Sequence, residues 1–357
     1  MPVHSFSFQT QRGRDTEVSF FTSHFSLREF LVLSTFNQEV RMYCSCNGLG
    51  CDLQGFLLHY RKFLFTFATR KIKMNFKQLV NRISGIYDER EASSIVKMLL
   101  EESFGLSFVD VCLGALDRLS DDDKESLEGM MLRLEKGEPV QYIIGRADFY
   151  GRQFAVEPGV LIPRPETEEL VTWIKEESKD IRGNRNGKKY LLDVGCGSGC
   201  ISVTLALEIP EAEVSAWDVS DTALRVTKKN AKALGASVDI YMQDALNAPS
   251  GDRELWNVIV SNPPYICVKE AEDMERNVLE HEPHEALFVP DADPLLFYRA
   301  IAEYGTHALC RGGRLYFEIN RAYGKETVKM LEMLGYHDIE LRKDAFGNDR
   351  MIRAISN

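Results

Sequence analysis

Two periodicities alternate through the second half of this 357-residue chain, and that alternation limits its fold more than any other feature. Apolar runs at 190–193, 213–217, 238–241, 258–261 and 314–319 have the length and residue types of strands. Helical patterns near 199–208, 221–234 and 295–309 separate most of them. Strand, helix, strand in repetition predicts an α/β architecture, a mostly parallel, doubly wound sheet with helices packed on it. Such sheets bind ligands beyond the carboxyl ends of their strands. Those ends are where candidate chemistry belongs.

The first strand runs into Asp193-Val194-Gly195-Cys196-Gly197-Ser198-Gly199. Three glycines let the chain turn sharply from strand to helix and let a ligand touch bare backbone. The spacing D-x-G-x-G-x-G differs from the dinucleotide fingerprint, because the acid precedes the loop and suits a cationic amino group rather than a pyrophosphate. Asp218, nineteen residues after Gly199, closes the next strand, where a carboxylate can accept both protons of a ribose diol. Asp244, with Ala245 after it, follows the third strand and can face an adenine amino group. Together, Asp193, Gly195, Cys196, Gly197, Ser198, Gly199, Asp218, Asp244 and Ala245 predict a site for a cationic adenosine compound.

Asn262-Pro263-Pro264-Tyr265 follows the strand at 258–261. An amide or aromatic amine nitrogen is a poor nucleophile because its lone pair is delocalised. The side-chain carbonyl of Asn262 and the main-chain carbonyl of Pro263 can accept both of its N–H protons, which orients the lone pair and stabilises developing positive charge. The prolines stiffen the loop, and Tyr265 offers a face to a planar group. The candidate catalytic residues are therefore Asn262, Pro263 and Tyr265. Pro264 joins them in substrate binding, and Asn262 also reaches the cofactor.

The rest of the chain divides in three. Residues 1–73 hold eleven of the twenty Phe without a steady period and carry nine Lys/Arg against five Asp/Glu. This segment is expected to be a poorly ordered leader, upstream of a start at Met74. Residues 74–146 carry nine basic against fourteen acidic side chains. Apolar residues at helical spacing (Leu79, Val80 and Ile83; Leu99 and Leu100; Val109, Leu113 and Leu116; Leu127, Met131 and Leu134) predict a bundle of four short helices that docks the substrate. Ser120 before three aspartates is a helix start. Residues 147–163 alternate like a β-hairpin turning at Glu157-Pro158-Gly159, and lead into a catalytic domain over 164–357.

The body is acidic, with a net charge of −11 over the whole chain, which disfavours a phosphate backbone as main partner. Eight scattered cysteines suit a reducing cytoplasm rather than a disulfide framework. Cys44, Cys46 and Cys51 lack a fourth ligand at zinc spacing, so no metal is expected. His281 and His284 read as loop residues. No apolar run is long enough for a membrane span, and no secretory signal is evident.

From Met74 onward the chain resembles the release-factor glutamine methyltransferases, also called HemK or PrmC proteins. The resemblance rests on Leu161-Ile162-Pro163-Arg164-Pro165-Glu166-Thr167-Glu168, the 193–199 loop, Asn262-Pro263-Pro264-Tyr265, Glu282-Pro283 with Ala286-Leu287, and Asp344 with Gly347, Asp349 and Arg350. It implies a Rossmann-like, seven-stranded class I methyltransferase domain preceded by a small all-α domain. It also implies S-adenosyl-L-methionine as cofactor and the GGQ glutamine of class I peptide chain release factors as substrate, with Arg164 and Glu166 in substrate binding. A monomer is expected. Ribosomal-protein glutamine methylation is the nearest alternative, set apart by the 163–168 segment. Adenine N6 methylation of nucleic acid is another, and acidic charge opposes it; an inactive cofactor-binding scaffold is opposed by the intact 262–265 motif. Relatives usually carry Gly where this chain has Asn320. That strand end is expected to lie away from the substrate motif, so the change should alter loop shape rather than activity.

Overall fold

The computed structural model describes residues 4–9, 15–20, 42–44, 75–183 and 186–357. It falls into two units, Met1–Lys73 and Met74–Asn357. In the first, β1 (His4–Gln9), β2 (Asp15–Phe20) and β3 (Met42–Cys44) pair antiparallel in the order β2-β1-β3. The expected leader lies largely outside the described residues, as do Cys46 and Cys51.

The second unit opens with six helical pieces. They are α1 (Phe76–Ile83), α2 (Glu89–Phe104), α3 (Phe108–Cys112), α4 (Ala115–Arg118), α5 (Asp121–Leu134) and α6 (Val140–Ile144). The Ser120 hydroxyl caps α5 by accepting from the Asp123 amide at 3.0 Å. Leu79, Val80, Ile83, Leu99, Leu100, Leu116, Leu127, Met131 and Leu134 form one buried cluster, as the spacing predicts. The stretch 109–119 departs from prediction. Gly114 takes a left-handed φ of +80°, which splits one helix into α3 and α4. Val111 is then buried, whereas Val109 and Leu113 are exposed. A further helix, α6, begins after Pro139, where the fixed proline φ and missing N–H cost nothing.

The hairpin pairs β4 (Arg146–Phe149) with β5 (Arg152–Ala155). Its turn is Tyr150-Gly151, not the predicted Glu157-Pro158-Gly159. Both turn residues have positive φ, +51° and +71°, the hand that matches strand twist in a two-residue hairpin. The Glu168 carboxylate accepts from the Tyr150 amide at 2.7 Å and helps hold that unusual non-glycine conformation.

After α7 (Pro165–Glu177) the sheet builds through β6 (Lys189–Val194), α8 (Cys200–Glu208), β7 (Ala212–Asp218), α9 (Asp221–Leu234), β8 (Val238–Met242) and β9 (Trp256–Ser261). Next come β10 (Ile266–Cys267), α10 (Arg276–His281), α11 (His284–Leu287) and β11 (Phe288–Val289). The chain ends with α12 (Leu296–Ala308), β12 (Leu309–Glu318), α13 (Gly324–Met333), β13 (His337–Lys343) and β14 (Asp349–Ile355). Seven strands order as β13-β14-β12-β9-β6-β7-β8. The five from β12 to β8 run parallel, and β14 is antiparallel to β12 and β13.

Alternate residues of one strand serve opposite faces. Leu191, Val258 and Tyr316 pack with Leu170, Ile174 and Val203 of α7 and α8. Leu192, Ile259, Leu315 and Phe317 pack with Ile301, Tyr304 and Leu331 of α12 and α13. Burial on both faces is why these strands read as continuous apolar runs. The strand order reverses between β6 and β9, so the ends of β7, β6, β9 and β12 lie side by side. Val194 pairs with Ser261, and Ser261 with Phe317. That edge is the switch-point crevice.

Candidate active site at the carboxyl edge of the sheet

The glycine loop leaves β6 with Gly195, Gly197 and Gly199 at φ of +77°, +55° and +78°. A Cβ added at Gly195 or Gly197 would meet no protein atom within 4 Å, so side chains there would fill the open concave side of the loop. At Gly199 the same atom would come within 2.7 Å of Thr227, so this glycine serves packing. Cys196 and Ser198 are buried, and they present backbone rather than side chain to the cradle. Burial pushes the Cys200 thiol up to about 12 and raises that of Cys196 well above its usual range, so neither is a nucleophile at neutral pH.

Three side chains brace this loop. Asp218 accepts from the Gly197 amide and, through its other oxygen, from the Ser220 amide, both at 2.9 Å. The Thr227 hydroxyl donates to the Gly197 carbonyl at 3.1 Å, and the Asn230 amide to the Ser198 carbonyl at 2.8 Å. Thr227 and Asn230 escaped the sequence reading, because on α9 they look like ordinary polar helix positions. Burial raises the Asp218 carboxyl despite the amides that favour its charge. Asp244 caps the turn after β8, accepting from Leu246 N at 2.9 Å and Asn247 Nδ2 at 2.6 Å; Ala245 behind it is partly buried.

Asp193 has no exposed surface. One oxygen accepts from the Ser202 amide at 3.0 Å, and Oδ1 has no partner. Burial pushes this carboxyl up to about 7, with Asp218 nearby adding to the rise. An open glycine cradle, a braced acid at the end of β7 and an orphaned buried carboxylate oxygen fit a ligand carrying a ribose and a positive charge.

Beside this cradle, Asn262 leaves β9 and donates from Nδ2 to the Thr167 hydroxyl at 3.3 Å. Tyr265 donates to Glu318 Oε1 at 3.1 Å, and Thr167 to Glu318 Oε2 at 2.6 Å. Among the described residues no donor reaches Asn262 Oδ1 or the Pro263 carbonyl. A cavity of about 320 Å³ opens here, lined by Leu161, Arg164, Asn262, Tyr265, Met274 and Val278. Met274 and Val278 were not legible in the sequence, since nothing local marks the 274–278 segment as facing a motif further upstream.

The predicted substrate residues part company. Arg164 lines the cavity and is paired at 2.5 Å with Glu282, a buried carboxylate whose second oxygen accepts from the Ile162 amide at 3.2 Å. Glu166 does not line it and lies on the Glu318 side. His281 and His284 are not loop residues. They end α10 and begin α11, with imidazole nitrogens 3.1 Å from the Lys136 carbonyl and 2.8 Å from the Leu279 carbonyl.

Asn320 overturns its expectation. Because β12 neighbours β9, the end of β12 adjoins the 262–265 loop. Asn320 Nδ2 donates to the Tyr265 carbonyl at 3.0 Å and to Glu270 at 3.0 Å, and its Oδ1 accepts from Ala322 N at 2.9 Å.

The family model described as "Methyltransferase small domain" matches residues 179–286, and the "PrmC N-terminal domain" matches residues 76–145. A release factor glutamine methyltransferase from Bacteroides thetaiotaomicron is 46% identical over 272 residues, 76% of this chain and 95% of that protein. The Flavobacterium psychrophilum protein of that name is 44% identical, over 77% of this chain and 96% of its own length. The one from Streptococcus pneumoniae is 38% identical, over 74% and 91%. With the glycine cradle, the acids beyond β6 and β7 and the Asn-Pro-Pro-Tyr loop, these likenesses place the chain in the release factor glutamine methyltransferase family.

Proposed function

We propose that this protein methylates the side-chain amide nitrogen, N5, of the GGQ-motif glutamine in class I peptide chain release factors. The observation that carries this reading is the pair of unpaired acceptors, Asn262 Oδ1 and Pro263 O, the first on a residue that lines the cavity at the end of β9 and the second on the buried residue next to it. A primary amide entering that cavity has two N–H donors, and two fixed acceptors hold both. The amide plane is thereby set, and positive charge developing on nitrogen is stabilised by dipoles already in place. Leu161, Met274 and Val278 keep water from the reacting amide, and the Tyr265 ring borders its plane.

S-adenosylmethionine, when bound, supplies a methyl carbon activated by the adjoining sulfonium. Gly195 and Gly197 would admit its backbone-hugging portion, Asp218 its ribose hydroxyls, and Asp244 with Ala245 its adenine. The orphaned Oδ1 of Asp193 is the acceptor closest to hand for its ammonium. The 74–146 helical domain would dock the release factor, and Arg164, held by Glu282, would frame the entry path. A cytoplasmic location and a monomeric state belong to this proposal. Among the described residues no helix is long and apolar enough to cross a membrane.

The test is methyl transfer from labelled cofactor to a purified class I release factor, its GGQ Gln→Ala form, a ribosomal protein and DNA, run in parallel. Label should enter the intact release factor alone. Label on the alanine form would refute the proposed target, and label on DNA or ribosomal protein instead would favour the corresponding alternative. Asn262→Ala should lower kcat by about two to three orders of magnitude, the usual cost of losing one preorganised charge-stabilising contact.

A further inference from the structure

An asparagine amide has two ends that differ only in hydrogen-bonding sense, so its usefulness as an acceptor depends on which end faces the substrate. At Asn262 the environment decides. Glu318, at the end of β12, is buried, with Oε2 2.6 Å from the Thr167 hydroxyl and Oε1 3.1 Å from the Tyr265 hydroxyl. An ionised carboxylate can only accept, so both hydroxyls must donate to it. The one proton of Thr167 is thereby committed, and its oxygen offers Asn262 lone pairs alone. Only the Nδ2 end can meet them, as it does at 3.3 Å, and Oδ1 is turned away from Thr167.

We propose that Thr167 and Glu318 are positioning residues that lock the Asn262 amide with Oδ1 toward the substrate, and that the lock is released when Glu318 takes up a proton. This rests on the reading of Asn262 as the acceptor for the substrate amide. A protonated Glu318 becomes a donor to Thr167. The Thr167 proton is then free to turn to Asn262 and favours the reversed amide, whose NH₂ would oppose the substrate's own N–H groups. The groups facing Glu318 are Arg350 on β14, which favours the ionised form, and Glu166 on α7, which opposes it. The Thr167 and Tyr265 hydroxyls also favour the ionised form. Tyr298 of α12 lies in the same field, and Asp344 binds Arg350 at 3.2 Å and tempers its charge. Burial is the largest influence and raises this carboxyl above the usual range.

The test is steady-state and single-turnover methylation of a class I release factor by the full chain carrying Thr167→Val, Thr167→Ser, Glu318→Gln, Asn262→Ala and the Thr167→Val/Asn262→Ala pair. Thr167→Val keeps the side-chain shape and should lower kcat about tenfold, the order expected from one lost hydrogen bond. KM and the calorimetric affinity for S-adenosylmethionine should stay unchanged. Thr167→Ser should restore kcat, which a packing role for the threonine methyl would not. The double variant should be no slower than Asn262→Ala, because Thr167 acts only through Asn262. In the wild type kcat should fall on the acid side as Glu318 protonates, and Glu318→Gln should be slow with that acid limb gone. Wild-type kcat in Thr167→Val, or a loss that adds in full to that of Asn262→Ala, would overturn the lock. An unaltered acid limb in Glu318→Gln would overturn its release by protonation. Full activity in Asn262→Ala, by contrast, would remove the reading of the site itself.

Discussion

Replacing Asp193 by asparagine should make the ligand-free protein more stable at pH 8 while it weakens cofactor binding. An ordinary Asp titrates at about 3.9, and burial pushes this one up to about 7. The folded chain therefore holds a proton that the unfolded chain has released between those two values. Stability conferred at this position is greatest below pH 4 and is lost progressively as pH rises to 7. At about 1.4 kcal/mol per unit, three units bound the loss at ~4 kcal/mol. Asparagine avoids that cost but places an unpaired NH₂ where Oδ1 is orphaned, and an unpaired buried donor costs about 1–3 kcal/mol. The net gain at pH 8 is then about 1–3 kcal/mol, and at pH 5 it should vanish or reverse. Urea denaturation of both proteins at pH 5, 6.5 and 8 reads the difference directly, provided the slopes agree. Calorimetry at pH 8 should show the variant binding S-adenosylmethionine at least tenfold more weakly, on the order of one lost charged hydrogen bond. A wild-type-minus-variant difference that does not change with pH would refute the burial reasoning. Undiminished cofactor affinity would refute the assignment of Asp193 to the ammonium.

Other outcomes follow from the same geometry. Gly197→Val, at a φ of +55° with open space beyond, should abolish measurable cofactor binding by calorimetry while leaving the circular dichroism spectrum unchanged. Glu282→Ala removes the buried carboxylate that holds Arg164 and the Ile162 amide; it should raise KM for the release factor more than it lowers kcat, and cost about 1–3 kcal/mol in urea. Asn320→Gly should lower kcat a few-fold, about the worth of one hydrogen bond, with cofactor affinity unmoved. A chain begun at Met74 should keep its melting temperature and its methylation rate, since residues 74–357 form their own unit.

Much of this fold could be read from the residues, and the losses have physical causes. The strands β6, β7, β9 and β12 announced themselves because sheets buried on both faces leave nearly uninterrupted apolar runs, whereas β8, an exposed edge strand, was legible by its place in the strand–helix alternation. β13, at the edge, is largely exposed and charged, as in His337-Asp338-Ile339-Glu340, and in β14 beside it Asp349, Arg350 and Arg353 interrupt the buried Met351, Ile352 and Ala354, so only the family resemblance supplied these two strands. The hairpin turn was misplaced because Glu157-Pro158-Gly159 carries stronger turn residues than Tyr150-Gly151. Tertiary contact with Glu168, not local propensity, supports the real turn. Val109 and Leu113 fit a helical stripe until Gly114 broke its phase.

The site divides along a similar line. Residues proposed to meet a ligand through backbone or from a strand end, such as Gly195, Gly197, Asp218 and Asn262, are legible because they stand at fixed places in the strand-and-loop pattern. Residues that act by holding those in position are not, because their partners are remote in the chain. Thr167 meets Glu318 across 151 residues, and Asn320 meets the Tyr265 carbonyl across 55. The Asn320 contact is local because β12 lies beside β9, and the Thr167 contact because α7 packs on β12. A glycine at 320 could not hold that carbonyl; the asparagine grips it and caps its own turn at Ala322. The last residue of β12 and the second residue beyond it thus both bear on the 262–265 motif, Glu318 through the hydroxyls of Thr167 and Tyr265 and Asn320 through the Tyr265 main-chain oxygen. Rigidity of the Asn-Pro-Pro-Tyr loop is therefore a property of the sheet beneath it as much as of its prolines.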